Sequence, residues 1–170
     1  MTPATQVKPI FPSVSASNLA KRPFNLPADF EGAYNLVLIA FKQHQQRAID
    51  TWLPLAQRLA SHDSRWRYYE LPVIRRMNPL YRAFIDGGMR GGIPDQAARE
   101  ATITLYLDKA TFRQALHLPH EDTIYAIVVQ PDGTILWQTS GPYSEEKARS
   151  LLKTMQSEVD SRLMPEAVRD

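Results

Sequence analysis

Strand-length runs of apolar residues alternate along this chain with segments whose apolar positions recur at helical spacing. The longest apolar run, residues 36–41, is typical of a strand that is buried on both faces in the middle of a sheet. Near the end of the chain, Pro131-Asp132-Gly133 lies between two apolar segments and predicts a hairpin turn. The predicted strands span residues 34–41, 66–71, 102–107, 123–130 and 134–138.

Helices are predicted between these strands. Residues 44–61 carry apolar side chains at helical spacing, but Pro54 lies inside the segment and should kink the helix or divide it in two. A second helix, from about Pro79 to residue 85, should end at the glycine pair 87–88. Further helices are predicted over residues 95–100, over residues 108–116 with Asp108 as N-cap, and after Ser144.

The flanking segments differ in composition from this central part. Residues 1–25 are rich in Pro, Ser and Lys, which predicts an extended N-terminal arm. Residues 26–157 form one predicted domain, and residues 158–170 are expected to be a frayed C-terminal tail. Residues 87–94, with four glycines and a proline, predict a flexible loop with Arg90 at its tip.

Composition excludes several classes of function. A length of 170 residues with 44% hydrophobic residues fits one soluble domain. The net charge is only +2 and the basic residues form no long run, which argues against nucleic acid as a partner. No apolar run is long enough for a transmembrane helix or the core of a signal peptide. We therefore expect a soluble, cytoplasmic protein, for which peripheral association with a membrane remains open.

The chain contains no cysteine. Thiol–disulfide exchange and cysteine-dependent peroxide reduction both require a thiolate nucleophile, so neither activity is open to this chain. Disulfides and cysteine-containing zinc sites are excluded for the same reason. The four histidines lack the spacing of a metal motif, and there is no phosphate-binding glycine loop. The sequence thus predicts no metal, no cofactor and no catalytic residue.

The order of the predicted elements is strand, helix, strand, helix, a further strand and helix, then a hairpin and a final helix. This order, the entry segment at residues 26–32 before the strand at 36–41, and the hairpin at 123–137 resemble the thioredoxin-like and peroxiredoxin-like superfamily. The strand and helix at residues 102–116 lie where peroxiredoxin-like proteins carry an insert. The resemblance implies an α/β fold with a central mixed sheet flanked by helices and closed by a C-terminal hairpin and helix.

Within that superfamily, the chain is most similar to the thioredoxin-like assembly factors of mitochondrial ATP synthase. The similarity lies in the hairpin Asp132-Gly133-Thr134-Ile135-Leu136-Trp137 and in the helix that follows it. It implies an assembly factor or chaperone for a membrane complex rather than an oxidoreductase.

Two departures from the superfamily concern the redox site. Redox-active thioredoxins place a Cys-x-x-Cys motif directly after the first central strand, whereas residues 41–47 of this chain offer amides, one imidazole and no thiol. These proteins also carry a cis-proline before the penultimate strand, and neither of the residues at the equivalent place, Asp122 and Thr123, is a proline. Both halves of the redox site are therefore missing, and the resemblance implies a redox-inactive member.

Two surfaces remain as candidates for function. The first contains Arg75, Arg76, Tyr81, Arg82 and Arg90, which are residue types favoured at protein interfaces. It predicts a protein partner, although the same residues would also suit the charged face of an ordinary helix.

The second candidate is His44, in the loop formed by residues 42–47. This loop follows a strand, where ligands of open α/β sheets bind, and it would suit a small-anion binder or a cofactor-free enzyme. That role requires a closed pocket and a carboxylate partner for the imidazole. A solvated polar loop is the alternative interpretation, and the sequence leaves the oligomeric state open.

Overall fold

Seven strands of this protein form one mixed sheet in the computed structural model, which describes residues 8–163, with side chains described as far as residue 159. The strands are β1 (Val14–Asn18), β2 (Pro23–Leu26), β3 (Tyr34–Ala40), β4 (Trp66–Arg75), β5 (Ile103–Leu107), β6 (Tyr125–Val129) and β7 (Ile135–Ser140). Their order across the sheet is β2-β1-β5-β4-β3-β6-β7, so the apolar strand β3 has neighbours on both sides.

Six α-helices connect these strands. They are α1 (Gln46–Asp50), α2 (Leu53–His62), α3 (Pro79–Gly92), α4 (Gln96–Ala101), α5 (Lys109–Ala115) and α6 (Glu145–Leu163). A 3-10 turn at Gln43–Gln45 precedes α1. The predicted helix at residues 44–61 is divided between α1 and α2, and Pro54 lies in the first turn of α2, where its missing N–H costs no helical hydrogen bond.

The three strands β3, β4 and β5 run parallel, whereas β6 and β7 run antiparallel to their neighbours. Strand β4 pairs with β3 as far as Pro72 and then with β5 from Val73 onward. Pro72, which directly follows the predicted strand 66–71, therefore lies where β4 changes from one neighbouring strand to the other. A missing N–H is tolerated at this position. The carboxyl ends of β3, β4 and β5 consequently lie at the same end of the sheet.

The core consists of two clusters, one on each face of the sheet. Along β3, Val37 and Ile39 belong to one cluster, while Leu36 and Leu38 belong to the other. All four are completely buried, as the sequence predicts for a strand covered on both faces. The sheet is thus the middle layer of a sandwich with helices, which is the architecture that the resemblance implies.

The expectation of an extended arm over residues 1–25 is wrong for residues 14–18 and 23–25, which belong to strands. Strands β1 and β2 form a hairpin, and β1 extends the sheet by pairing with β5 through Ser17 and Asn18. The buried side chain of Asn18 accepts a hydrogen bond from the backbone N–H of Arg22 at 2.9 Å, and its amide donates to the carbonyl of Glu100 at 3.1 Å. The pairing with β5 and the contact with Glu100 join residues that are distant in sequence, so local composition does not reveal them. Residues 1–7 lie outside the described part of the chain.

Two further expectations are corrected. Residues 87–92 belong to α3 and not to a flexible loop, so the glycine pair 87–88 does not end this helix. The last helix continues to Leu163, although residues 158–170 were expected to form a frayed tail. Residues 164–170, the remainder of the predicted tail, lie outside the described residues.

Candidate functional site

Four segments meet at the end of the sheet where the parallel strands finish. They are the loop 41–47 after β3, Arg75 and Arg76 at the end of β4, Asp108 and Lys109 after β5, and the loop 119–123 before β6. Ligands of α/β proteins bind most often at this end of the strands. The predicted site residues His44, Arg75 and Arg76 all belong to these segments.

The side chain of Gln45 fills the interior of the loop after β3. Its Oε1 accepts hydrogen bonds from the backbone N–H groups of Phe41 and Lys42 at 2.8 and 3.2 Å, and its Nε2 donates to the carbonyl of Glu121 at 2.8 Å. The ammonium of Lys109 donates to the carbonyl of Phe41 at 2.8 Å. These bonds connect the loop to both neighbouring segments and hold it closed.

An ion pair joins the same two loops at the surface. Lys42 Nζ lies 2.8 Å from Asp122 Oδ1. The hydrogen bond between them raises the pKa of Lys42 and lowers the pKa of Asp122. Both groups are exposed to solvent, so the pair positions the loops and contributes little to stability.

His44 lies on the exposed side of the loop. Within residues 8–163 no carboxylate or other group is hydrogen-bonded to its imidazole. The two conditions that a catalytic or ligand-binding His44 requires, a closed pocket and a carboxylate partner, are therefore not met in the described structure. The geometry favours the solvated-loop interpretation of this residue.

Arg75 and Arg76 line an open cleft of about 760 Å³. The cleft is bounded by the end of β4, the start of α5 and the loop before β6, and its other lining residues are Leu107, Asp108, Lys109, Ala110, Thr111 and Glu121. Both arginines are exposed, and neither guanidinium group donates a hydrogen bond within the described residues. The hydrogen bond from the Thr111 N–H to the Asp108 carboxylate, with a smaller effect of Arg76, lowers the pKa of Asp108.

Helix α3 lies against the body of the protein along one face only. None of its residues is buried. Leu80, Tyr81 and Phe84 are 80%, 62% and 78% exposed, and they are three of the five large apolar side chains that the described residues expose. The four glycines in the second half of α3 also face open space, because a Cβ added to any of them would meet no atom within 4 Å.

Arg82 and Arg90, two of the predicted contact residues, instead hold α3 in place. The guanidinium of Arg82 lies 4.5 Å from the centre of the Tyr106 ring, and Arg90 Nε donates to the carbonyl of Leu19 at 2.9 Å. The hydroxyl of Tyr106 donates to Asp86 Oδ1 at 2.5 Å, and burial together with this hydrogen bond raises the pKa of Tyr106. Arg90 therefore anchors a helix rather than standing at the tip of a loop.

The sequence interpretation missed Leu80 and Phe84. They lie four residues apart and so share one helix face, opposite the anchored face that carries Arg82, Asp86 and Arg90. This spacing was the available signal, but an apolar pair at helical spacing is usually part of the core. Only the tertiary structure distinguishes an exposed pair from a buried one.

A mostly buried carboxylate, Glu70, lies near the middle of β4. Gln46 Nε2 donates to its Oε1 at 3.0 Å, and the hydroxyl of Thr102 lies 3.5 Å from its Oε2. Burial raises the pKa of Glu70, and the hydrogen bond from Gln46 offsets this only in part. The carboxyl group therefore favours folding most when it is protonated.

Replacing Glu70 by Gln should stabilise the protein at neutral pH. The pKa of Glu70 is higher in the folded state than in the unfolded state, so the protonated carboxyl group stabilises the folded protein. This contribution is complete below the pKa that Glu70 has in the unfolded chain, and it is lost as the pH rises through the pKa that Glu70 has in the folded protein. At pH 7 we expect Glu70→Gln to raise the Tm by about 1–3 °C in a thermal melt. At pH 4 the same variant should show no gain, and an equal gain at both pH values would contradict this account.

Comparison with known proteins supports the fold. No protein-family model matches the sequence, and no curated protein matches it. Solved structures do match. A thiol-disulfide oxidoreductase from Bacteroides fragilis superposes with a TM-score of 0.54 at 11% identity, over 86% of this chain and 98% of that one. The exposed lipoprotein thioredoxin of Streptococcus pneumoniae gives 0.53 at 12% identity, over 84% and 98%.

A thiol:disulfide interchange protein of the thioredoxin family from Chlorobium tepidum gives a TM-score of 0.50 at 15% identity, over 88% of this chain and 97% of that one. At these identities the likeness concerns the fold alone. The chain has a thioredoxin-like fold, as the element order predicted. It differs from the thiol-disulfide oxidoreductases that share this fold in having no cysteine, so thiol redox activity is excluded on chemical grounds.

Among residues 8–163, no helix combines the length and apolar character needed to cross a membrane. The same residues contain no group of three or more histidine, aspartate or glutamate side chains arranged to hold a metal ion.

Proposed function

We propose that this chain is a redox-inactive, thioredoxin-like protein that acts by binding another protein through the exposed face of α3. The observation that carries the proposal is the exposure of Leu80, Tyr81 and Phe84 on a helix with no buried residue. Contiguous apolar side chains on a surface mark interaction sites, and aromatic residues are enriched among those that contribute most to binding.

The arrangement of the loop after β3 favours binding over catalysis. Where redox-active thioredoxins carry their thiols, Gln45 uses its amide to close the loop, and the nearest surface charges are paired in Lys42–Asp122. The loop offers no thiol, and its one imidazole, His44, is exposed to solvent without a carboxylate partner. A loop closed by internal hydrogen bonds, in a chain that also exposes an apolar helix face, suits a scaffold that presents a surface.

We propose further that the partner is a subunit of a membrane complex and that the protein assists its assembly. The resemblance to the thioredoxin-like assembly factors of mitochondrial ATP synthase supports this, as does an apolar helix face that could cover apolar surface of an incompletely assembled subunit. We place this action in the cytoplasm, with contact to the membrane through the partner.

The double variant Leu80→Glu with Phe84→Glu tests the α3 surface. Both side chains are exposed, so the variant should melt at the wild-type temperature, while the charges should prevent burial of the helix face. Affinity capture of the tagged protein from its own cells should recover a defined partner with wild-type protein, and at least tenfold less of that partner with the variant.

Leu152→Glu is the matched control. Leu152 is an exposed apolar residue on α6 and should be replaceable without loss of the partner. If the double variant retained its partner in full, or if Leu152→Glu lost the partner to the same degree, α3 would not be the binding surface.

A further inference from the structure

We infer that the cleft between Arg76 and Lys109 binds an acidic segment of the protein partner, in an extended conformation, with carboxylates on Arg75, Arg76 and Lys109. This inference rests on the proposed function, since it names the chemistry of the partner. It goes beyond that function because the cleft is separate from the apolar face of α3.

The cations of the cleft have free hydrogen-bonding capacity. Arg75 and Arg76 are exposed, and their guanidinium groups make no hydrogen bond within the described residues. Lys109 uses one of its three donors for the carbonyl of Phe41. The planar guanidinium group of arginine presents parallel N–H donors that match the two oxygens of a carboxylate. Two arginines in one cleft can therefore bind two acidic side chains, or both can donate to the same carboxylate.

The acidic groups of the cleft favour a peptide over a small anion. Asp108 and Glu121 line the same space, and the Asp108 carboxylate also accepts the N–H of Thr111 at 2.8 Å. Glu121 Oε2 lies 3.9 Å from the buried Nε of Arg113. These two carboxylates weaken the attraction of the cleft for any anion, but they can also accept the backbone N–H groups of an extended peptide, which a free phosphate lacks.

The cleft also lies close along the chain to the proposed contact surface. Asn78, only two residues after Arg76, caps α3 by accepting the N–H of Tyr81 at 3.0 Å. Two residues of chain span less than about 8 Å. A partner segment that packs on Leu80 and Phe84 can therefore place neighbouring acidic residues in the cleft.

Binding of an amidated hexaglutamate peptide to the full chain tests the inference. The wild-type protein should bind it in a titration followed by calorimetry, and Arg75→Gln with Arg76→Gln should weaken binding at least about tenfold, since charge-assisted hydrogen bonds to carboxylates are lost. Arg58→Gln with Arg149→Gln, two exposed arginines on α2 and α6, removes the same charge elsewhere and should change the affinity less than twofold.

Three results would overturn the inference: no binding by wild-type protein, equal weakening in both double variants, or tighter binding of inorganic phosphate than of hexaglutamate. The last would identify a small-anion site instead. Because Arg75 and Arg76 make no internal hydrogen bonds, unchanged thermal melting should confirm that the variant is folded. This inference can fail independently of the proposed function. The proposed function is tested by whether Leu80→Glu with Phe84→Glu loses the partner.

Discussion

A Trp52→Ala variant should lose about 3–5 kcal/mol of unfolding free energy in chemical denaturation. Trp52 is fully buried between α1 and α2, and its indole N–H donates to the carbonyl of Gly141 at 3.0 Å. Its ring packs edge-on against Trp137 and Tyr143, with centroid distances of 6.1 and 5.5 Å. The substitution removes this packing and leaves both a cavity and an unpaired carbonyl.

Trp52→Phe separates the two contributions. Phenylalanine keeps much of the packing but cannot donate to Gly141, so we expect an intermediate loss of about 1–3 kcal/mol. Gln57→Ala, on the exposed side of α2, should stay within about 0.5 kcal/mol of wild type. If Trp52→Ala lost less than about 1 kcal/mol, the packing and the hydrogen bond of the indole would not contribute to stability as described.

The second large effect is expected at Gln45. Gln45→Leu should cost about 2–4 kcal/mol of unfolding free energy, because two buried N–H groups and one carbonyl lose their partner at once. The loop after β3 should also exchange its amide hydrogens faster, which hydrogen-exchange measurement at Phe41 and Lys42 would detect.

Gln43→Leu provides the matched control, since Gln43 belongs to the same 3-10 turn but is exposed. It should leave stability and exchange close to wild type. If Gln45→Leu behaved like Gln43→Leu, the loop would be held by other contacts, and its closed state would not follow from the amide of Gln45.

The parts of the fold that could be predicted from sequence are those governed by local pattern. The continuous apolar run of β3 indicated a central strand, and Pro131-Asp132-Gly133 indicated the hairpin between β6 and β7, where Gly133 has a φ of +94°. Asp108 was correctly predicted as an N-cap, since its carboxylate accepts the N–H of Thr111. Each signal lies within a few residues of the element that it specifies.

The parts that could not be predicted depend on distant contacts. Strand β1 is short and only partly apolar, and it is held by pairing with β5, more than eighty residues away. Helix α3 continues through glycines that usually end a helix, and hydrogen bonds at Arg90, to Leu19 and from Arg99, hold its second half in place. Tertiary contacts of this kind override local propensity and have no local signature.

The candidate site likewise combines features that the sequence reveals with features that depend on tertiary contacts. The absence of cysteine excludes thiol chemistry, and the arginine-rich segment predicted a contact surface within residues 75–90, which stays a prediction. It did not separate Arg75 and Arg76, which line a cleft, from Arg82 and Arg90, which hold α3 to the body. The exposed apolar face became visible only when the helix was placed on the sheet.

The measurement that tests the central claim most directly is photo-crosslinking in the protein's own cells. A photoreactive amino acid at position 84 would replace an exposed side chain on α3, and the same amino acid at position 152 would replace one on α6. We predict a defined crosslinked partner from position 84 and none from position 152. No product from position 84, or the same products from both positions, would contradict the account of α3 as a binding surface.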